Sequence, residues 1–464
     1  MKIVMIGAGY VGLTTGTCLA EIGHEVCCVD VAKDKIEMLQ TGRIPIYEPG
    51  LSKLIDANKH SGRLEFSADI AGAVSKADLV FIAVGTPSTE EGDIDLTYVR
   101  AAAEGFASHL RDEAIVVIKS TVVAGTAQAI RTLIAEKRGD DAIAVASNPE
   151  FLREGSAITD FMQADRIVVG ADDERSAESL ARLYKPLADA GITYIRTDTI
   201  NAELIKYTAN AFLALKIGFI NDVANLCEKA GGDVRAIAEG IGLDRRIGES
   251  FLQAGPGFGG SCFPKDTRAF AATGRRFNAP QPLVETLIDH NELRKAALGE
   301  RILDELGSDP AGKTVAVLGT AFKANTDDMR EAPALTIIPL LQRAGVKVRA
   351  HDPKAQQAAA RHLQDIHWCG SAYEAADSAD ALVILTEWED YRTLDIVRIG
   401  RLLKGQSIID YRNMLKPNEV VAQGLHYVSI GRAKASPKHT ATKTNARSMS
   451  GAAPTTLGVA ALPF

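Results

Sequence analysis

Lys2-Ile3-Val4-Met5-Ile6-Gly7-Ala8-Gly9-Tyr10-Val11-Gly12 opens the chain and decides its fold. Lys2–Ile6 is an apolar run of strand length, and a helical pattern begins directly behind the glycines. Each glycine has a physical task. The first allows the tight turn, the second lets backbone approach a pyrophosphate, and the third lets helix and strand pack closely. The helix N-terminus then faces the phosphate charge. A glycine triplet alone also fits a ligand-free turn. Here a second strand, Val26–Val29, ends in Asp30 at the expected distance. An acid there hydrogen-bonds ribose hydroxyls and repels a ribose phosphate, so NAD is favoured over NADP.

Working outward, apolar runs alternate with helical patterns. Lys2–Ile6, Glu25–Val29, Leu79–Val84, Ile115–Ile118 and Ile143–Val145 read as buried strands, with Ile167–Val169 and Thr193–Ile195 as extensions. That alternation predicts a parallel sheet with crossover helices. From Asn201 to Ala230 the pattern becomes one long helix, and helical signals continue through Pro282–Leu306. A second strand–helix series follows: Thr314–Leu318, Val346–Ala350, Ala381–Leu385, Ser407–Ile409 and Tyr427–Ile430. Its opening Gly319 lacks the triplet, so it need not hold a dinucleotide. The expected architecture is α/β, with two doubly wound Rossmann-like domains joined by a long central helix and a helical region. The divisions fall at 1–198, 199–308 and 309–432, with a disordered, solvated tail at 433–464.

The 464 residues exceed one ordinary core. A net charge of −7 with no basic stripe argues against a nucleic-acid partner. No segment is long and apolar enough to insert in a membrane. The N-terminus resembles a short secretory signal, but Gly7, Gly9, Gly12 and Gly16 suit a turn and a packed helix better. A cytoplasmic protein is expected. Six cysteines show neither zinc nor disulfide-scaffold spacing. Cys27 and Cys28, adjacent on a strand, would face opposite sides as free thiols.

The richest stretch is Gly257-Phe258-Gly259-Gly260-Ser261-Cys262-Phe263-Pro264-Lys265-Asp266. Its glycines let backbone approach a ligand, and Pro264 suits the first turn of a helix. Cys262 then lies at a helix N-terminus, where the field is expected to lower its pKa and favour the nucleophilic thiolate. Asp266, four residues on, projects to the same side. A structural thiol is the competing reading. Glu203, Lys206 and Asn210 share one face of the long helix. They fit a solvated face, or, given apolar neighbours, a partly buried Lys206 that stabilises an oxyanion. Asn148-Pro149-Glu150-Phe151-Leu152-Arg153-Glu154 brings two carboxylates to one sheet edge, as a general base, a ribose ligand or plain surface acids. Gly85-Thr86-Pro87 and Ser120-Thr121-Val122 follow strands at the carboxyl edge, where ligands bind in such sheets, though either is also an ordinary loop.

Taken together, GAGYVG, NPEFLREG, GFGGSCFPKD and AFKANTDDMREAP occur in one order. In these motifs the chain resembles the UDP-glucose 6-dehydrogenases of the UDP-glucose/GDP-mannose dehydrogenase family, from Met1 to about Arg432. The resemblance implies an NAD domain, a helical middle that forms a homodimer, and a C-terminal domain that holds UDP. It implies oxidation of UDP-glucose to UDP-glucuronate with two NAD in sequence and no metal. Cys262 would be the nucleophile, surrounded by Lys206, Asn210 and Asp266, with Thr121 and Glu150 assisting acid–base chemistry. The cofactor would meet Gly7, Gly9, Tyr10, Val11, Gly12, Asp30, Thr86, Thr121, Glu154, Lys265 and Arg330. Many relatives carry a basic residue just after the strand-ending acid; Lys33 and Lys35 are both available, and Lys35 is the candidate. The sugar nucleotide would meet Glu150, Phe151, Leu152, Lys206, Asn210, Phe251, Gly257, Phe258, Lys323 and Arg412. Arg246 would reach it too, in many relatives from the partner subunit.

The alternatives are a GDP-mannose dehydrogenase, a UDP-N-acetylhexosamine dehydrogenase, a two-electron hydroxyacid dehydrogenase, and a non-catalytic NAD-binding sensor. The last two have no need of Cys262.

Overall fold

Ile3–Ile6 are buried on both faces, as a central parallel strand requires. In the computed structural model, which describes residues 1–437, this strand is β1 (Lys2–Ile6) of an eight-stranded sheet. The others are β2 (Glu25–Val29), β3 (Leu64–Ser67), β4 (Leu79–Ile82), β5 (Ile115–Ile118), β6 (Ala144–Ser147), β7 (Arg166–Gly170) and β8 (Thr193–Thr197). They lie in the order β3-β2-β1-β4-β5-β6-β7-β8.

The first six strands are mutually parallel. The expectation of an entirely parallel sheet fails at β7. It meets β6 antiparallel through the single pair Ser147↔Gly170, and β8 runs parallel to β7. Between β6 and β7 lies only the short helix Ala157–Met162, so the chain turns back instead of crossing over. β2 faces two cores. Cys28 packs into one, with Met5 and Leu13, and Cys27 into the other, with Val4 and Ile82.

Three long helices form the middle. We label the first-strand helix α1 (Tyr10–Glu21), that after β5 α2 (Thr126–Arg138), and the middle three α3 (Thr199–Ala230), α4 (Phe263–Arg276) and α5 (Pro282–Leu306). The Asp198 side chain caps α3 by accepting from Asn201 N at 2.7 Å, and Gly231 ends it at φ +79°. At 1.5 Å per residue the 32-residue helix is roughly 48 Å long.

The second sheet contains β9 (Thr314–Leu318), β10 (Lys347–His351), β11 (Ile366–Trp368), β12 (Ala381–Ile384), β13 (Ser407–Asp410) and β14 (His426–Ser429). It is parallel throughout, in the order β11-β10-β9-β12-β13-β14. The region expected to begin a disordered tail starts ordered. Ala435 bridges to Tyr427, and Lys434 pairs with Glu305. The remainder of that expectation, 438–464, lies outside the described residues. Among the described residues no helix is long and apolar enough to cross a membrane.

Candidate active site

The glycine turn between β1 and α1 has the geometry its sequence implies. Gly7 sits at φ +102°, and a Cβ there would lie 2.6 Å from the Ala83 carbonyl oxygen. A Cβ on Gly12 would lie 1.9 Å from the Gly7 carbonyl oxygen. Gly9 faces open space and caps α1 without a side-chain hydrogen bond, so the first N–H groups of α1 remain for an anion. Asp30, at the end of β2, accepts from Ala8 N at 2.9 Å, Ala32 N at 3.0 Å and Lys35 Nζ at 2.8 Å. Burial works against its charge, but Lys35 and the backbone donors outweigh it and hold the carboxyl below its usual range. Lys35, rather than Lys33, is therefore the base beside the acid. These features fit a dinucleotide.

The second constellation surrounds a cavity of about 800 Å³ between the two sheets. Glu150, Phe151, Leu152, Glu154, Lys206, Asn210, Phe251, Gly257, Phe258, Cys262, Lys323 and Arg412 all line it. Tyr10 and Arg330 instead line a smaller cavity of about 280 Å³, and Glu154 reaches both. The cofactor and sugar-nucleotide candidates thus meet at Glu154. Its carboxylate accepts from Thr326 Oγ1 at 3.0 Å, Arg330 Nη2 at 3.1 Å and Ser261 Oγ at 3.3 Å. Burial, with help from Asp328 and against Arg330, pushes it up to about 7.

Cys262 is the N-cap of α4 and the least buried of the six cysteines. Its Sγ lies 3.5 Å from Ser261 Oγ. The expected depression of its pKa is not found. Burial pushes the thiol up, and Lys206 only partly offsets this. Desolvation of the thiolate outweighs the field of one helix end. Lys206 donates to Glu150 Oε1 at 3.0 Å. Burial opposes its charge, yet Glu150, Asp266 and Cys262 together hold the ammonium above the usual lysine range. Asp266 is fully buried, accepting from Asn210 Nδ2 and Lys265 Nζ, each at 2.6 Å. Lys265 therefore turns toward Asp266. Phe251 holds φ +66°, a strained value for a bulky residue, with its ring 5.8 Å from that of Phe263. Arg412 spans to the Leu385 and Phe322 carbonyls at 2.7 and 2.8 Å.

Some candidates stand apart. Thr86 and Thr121 follow β4 and β5 but line neither cavity. Arg246 is exposed and pairs with Asp244 at 2.6 Å, away from both. Glu203 is not on a solvated face. It is buried and caps α2, accepting from Gly125 N at 2.6 Å and Ala127 N at 2.7 Å.

Sequence reasoning also missed residues. Lys119 and Arg166 line the large cavity, and the Arg166 guanidinium lies 3.8 Å from the centre of the Phe151 ring. Lys119 had a readable signal, a charge closing the apolar run Ile115–Ile118. Glu48 accepts from the Tyr10 hydroxyl and from Gly155 N and Ala157 N. No local pattern points to it.

Comparison with known proteins gives the same order of parts. Three models of the UDP-glucose/GDP-mannose dehydrogenase family match: its NAD binding domain over 1–188, its central domain over 200–293 and its UDP binding domain over 316–417. A UDP-glucose 6-dehydrogenase of Rhizobium meliloti (strain 1021) is 48% identical over 435 residues, covering 93% of this chain and 100% of that protein. The UDP-glucose 6-dehydrogenase TuaD of Bacillus subtilis (strain 168) is 46% identical, covering 93% of each. The solved UDP-glucose dehydrogenase of Pyrobaculum islandicum superposes with a TM-score of 0.84 at 39% identity, covering 90% of this chain and 95% of that one. With its glycine turn, strand-ending acid and cysteine loop placed in the matching regions, the chain belongs to the UDP-glucose/GDP-mannose dehydrogenase family of NAD-dependent oxidoreductases.

Proposed function

We propose that this enzyme oxidises the primary alcohol of UDP-glucose to the carboxylate of UDP-glucuronate, through covalent attachment to Cys262. One observation carries the reading. Cys262 heads α4 in a cavity of about 800 Å³, with Lys206 and Asn210 also lining it and Asp266 bonded to Asn210. The relatives named UDP-glucose 6-dehydrogenases supply the substrate.

NAD, when bound, accepts the hydride of each oxidation. Asp30 and the free N–H groups of α1 would hold it, with Tyr10, Val11, Thr86, Thr121, Lys265, Glu154 and Arg330 as the further candidates. Lys323 and Arg412 supply charge for the diphosphate from the C-terminal side of the cavity. In the first oxidation Glu150, assisted by Thr121, would take the proton of the alcohol. The resulting aldehyde has no second hydride to give until a nucleophile adds. Cys262 would pass its thiol proton to water as its sulfur attacks the carbonyl carbon, with Lys206 and Asn210 stabilising the oxyanion of the thiohemiacetal. Oxidation of that adduct, for which a second NAD would be the hydride acceptor, would leave Cys262 in a thioester. Water then displaces the Cys262 thiolate and yields the acid, with Asp266 assisting.

The same reading divides the chain at 198 and 308, with the helical middle as a dimer interface. Phe212, Phe219 and Leu226 recur every seven residues on one face of α3, each at least 60% exposed. Such a stripe on a long helix suits a second copy. Phe212 also lines the large cavity, so a second copy on this stripe would stand at its edge.

The test follows NADH with limiting UDP-glucose, with GDP-mannose as control. The unaltered enzyme yields two NADH per UDP-glucose, and Cys262→Ser stalls after the first. Full yield from Cys262→Ser replaces the covalent route by an aldehyde hydrate. Turnover of GDP-mannose alone overturns the substrate.

A further inference from the structure

Lys119 follows β5 and is only 5% exposed, yet among the described residues it has no ion-pair partner. Its Nζ donates to Asn148 Oδ1 at 3.0 Å and reaches the Pro149 carbonyl at 3.5 Å. Both acceptors are neutral. A buried ammonium held only by carbonyls is costly, and such groups concentrate at functional sites. The segment it holds is the turn that leads into Glu150. Asn148 is fixed on three further sides. Its N–H donates to the Ile118 carbonyl at 2.8 Å, its Nδ2 donates to the Val168 carbonyl at 2.7 Å, and its Oδ1 accepts from Tyr184 at 2.5 Å. Lys119 itself opens onto the large cavity, beside Glu150 and Lys206.

Two lysines therefore face one carboxylate, from different elements. Lys206 comes from α3 and bonds Glu150 directly, and Lys119, just after β5, lines the same cavity without a bond to it. Cys262, at the head of α4, also faces Glu150, and Asp266 faces Lys206 and Cys262. Lys206 is thus asked to serve two anions in turn: Glu150 at rest and the substrate oxyanion during reaction. As it turns toward the alcohol oxygen in the first oxidation, before Glu150 has taken the proton, the buried Glu150 carboxylate would lose its ion-pair partner unless another cation stands by.

We propose that Lys119 is that cation, a positioning residue that clamps the Asn148–Glu150 turn and frees Lys206 for the substrate oxygen. This rests on the reading of Lys206 as the oxyanion partner. Burial, reinforced by Lys206 and opposed by Glu150, lowers Lys119 to about 8.

The experiment uses the full chain with Lys119→Gln, which keeps a donor for Asn148 and removes the charge, and Lys119→Arg, which restores the charge. In the Gln variant kcat falls about tenfold or more while KM for UDP-glucose stays within about threefold. The acid limb of kcat moves up by about one pH unit, because Glu150 has lost a cation. Arg returns the limb toward its original position. Asn148→Asp leaves Lys119 in place but gives its ammonium a carboxylate of its own, and it moves the limb the same way should the Gln variant not fold. An unchanged limb in the folded variants overturns the proposal and leaves Lys119 a structural residue. A second readout needs no turnover: the pH dependence of Cys262 alkylation by iodoacetamide in the free enzyme. Its midpoint rises in Lys119→Gln, and an unchanged midpoint again overturns the proposal. If the unaltered enzyme leaves UDP-glucose untouched, the substrate reading fails, and the alkylation still decides the role of Lys119.

Discussion

Asp30 binds its own glycine turn and a lysine before any cofactor arrives. Its removal therefore does two things: it loosens the turn and it takes away the ribose partner. Asp30→Ala is expected to weaken NAD binding by about tenfold or more, with NADP hurt far less, and titration calorimetry with each dinucleotide checks this. Asp30 was legible because strand, glycines and acid are local in sequence. So was the face that carries Lys206 and Asn210. The state of the Cys262 thiol was not legible. A helix end can be read from Pro264, but burial comes from distant parts of the chain and outweighs it. Glu203 shows the same limit in reverse. The spacing allowed a solvated face, and only the fold brings it against α2. Burial, opposed by backbone donors, pushes Glu203 up to about 7. A carboxyl raised in the folded state contributes stability that is complete below its ordinary value and is lost as pH rises through about 7. Glu203→Gln should flatten that part of the stability–pH curve, measured by denaturant melts across the range.

Among elements, the central strands were read nearly to the residue, because burial on both faces leaves an unbroken apolar run. β3 and β11 escaped because each is an edge strand with exposed positions and only four and three residues. The reversal of β7 escaped for another reason. A run such as Arg166–Gly170 shows that a strand exists but not which way it runs. At this scale the cap on α2 is the sensitive point. Glu203→Ala leaves the Gly125 and Ala127 N–H groups without their acceptor, and should cost about 1–3 kcal/mol, read as a fall in the melting midpoint.

For the molecule as a whole, the apolar stripe on α3 makes a direct demand. Phe219→Asp should convert a dimer to monomers in sedimentation, while far-UV circular dichroism stays unchanged, since Phe219 is exposed and supports no core of its own chain. Arg246→Ala should raise KM for UDP-glucose about tenfold in the dimer, although Arg246 touches neither cavity of its own chain. The two-sheet plan was legible, and the way the sheets close on Glu154 was not. That contact joins Glu154 to Thr326 and Arg330, far apart in sequence and with no shared pattern. The sheets also differ in when they can exist. Every strand of the first ends by Thr197, and among the described residues no later segment joins it. On the ribosome, that sheet can close while the rest is still being made, since domains fold as units from the N-terminus. A nascent chain halted near Gly231 would carry the glycine turn and Asp30 and still lack Cys262. Synthesis itself then sets the sequence of assembly: the glycine turn and Asp30 first, the Cys262 loop next, and Arg412 last at the large cavity.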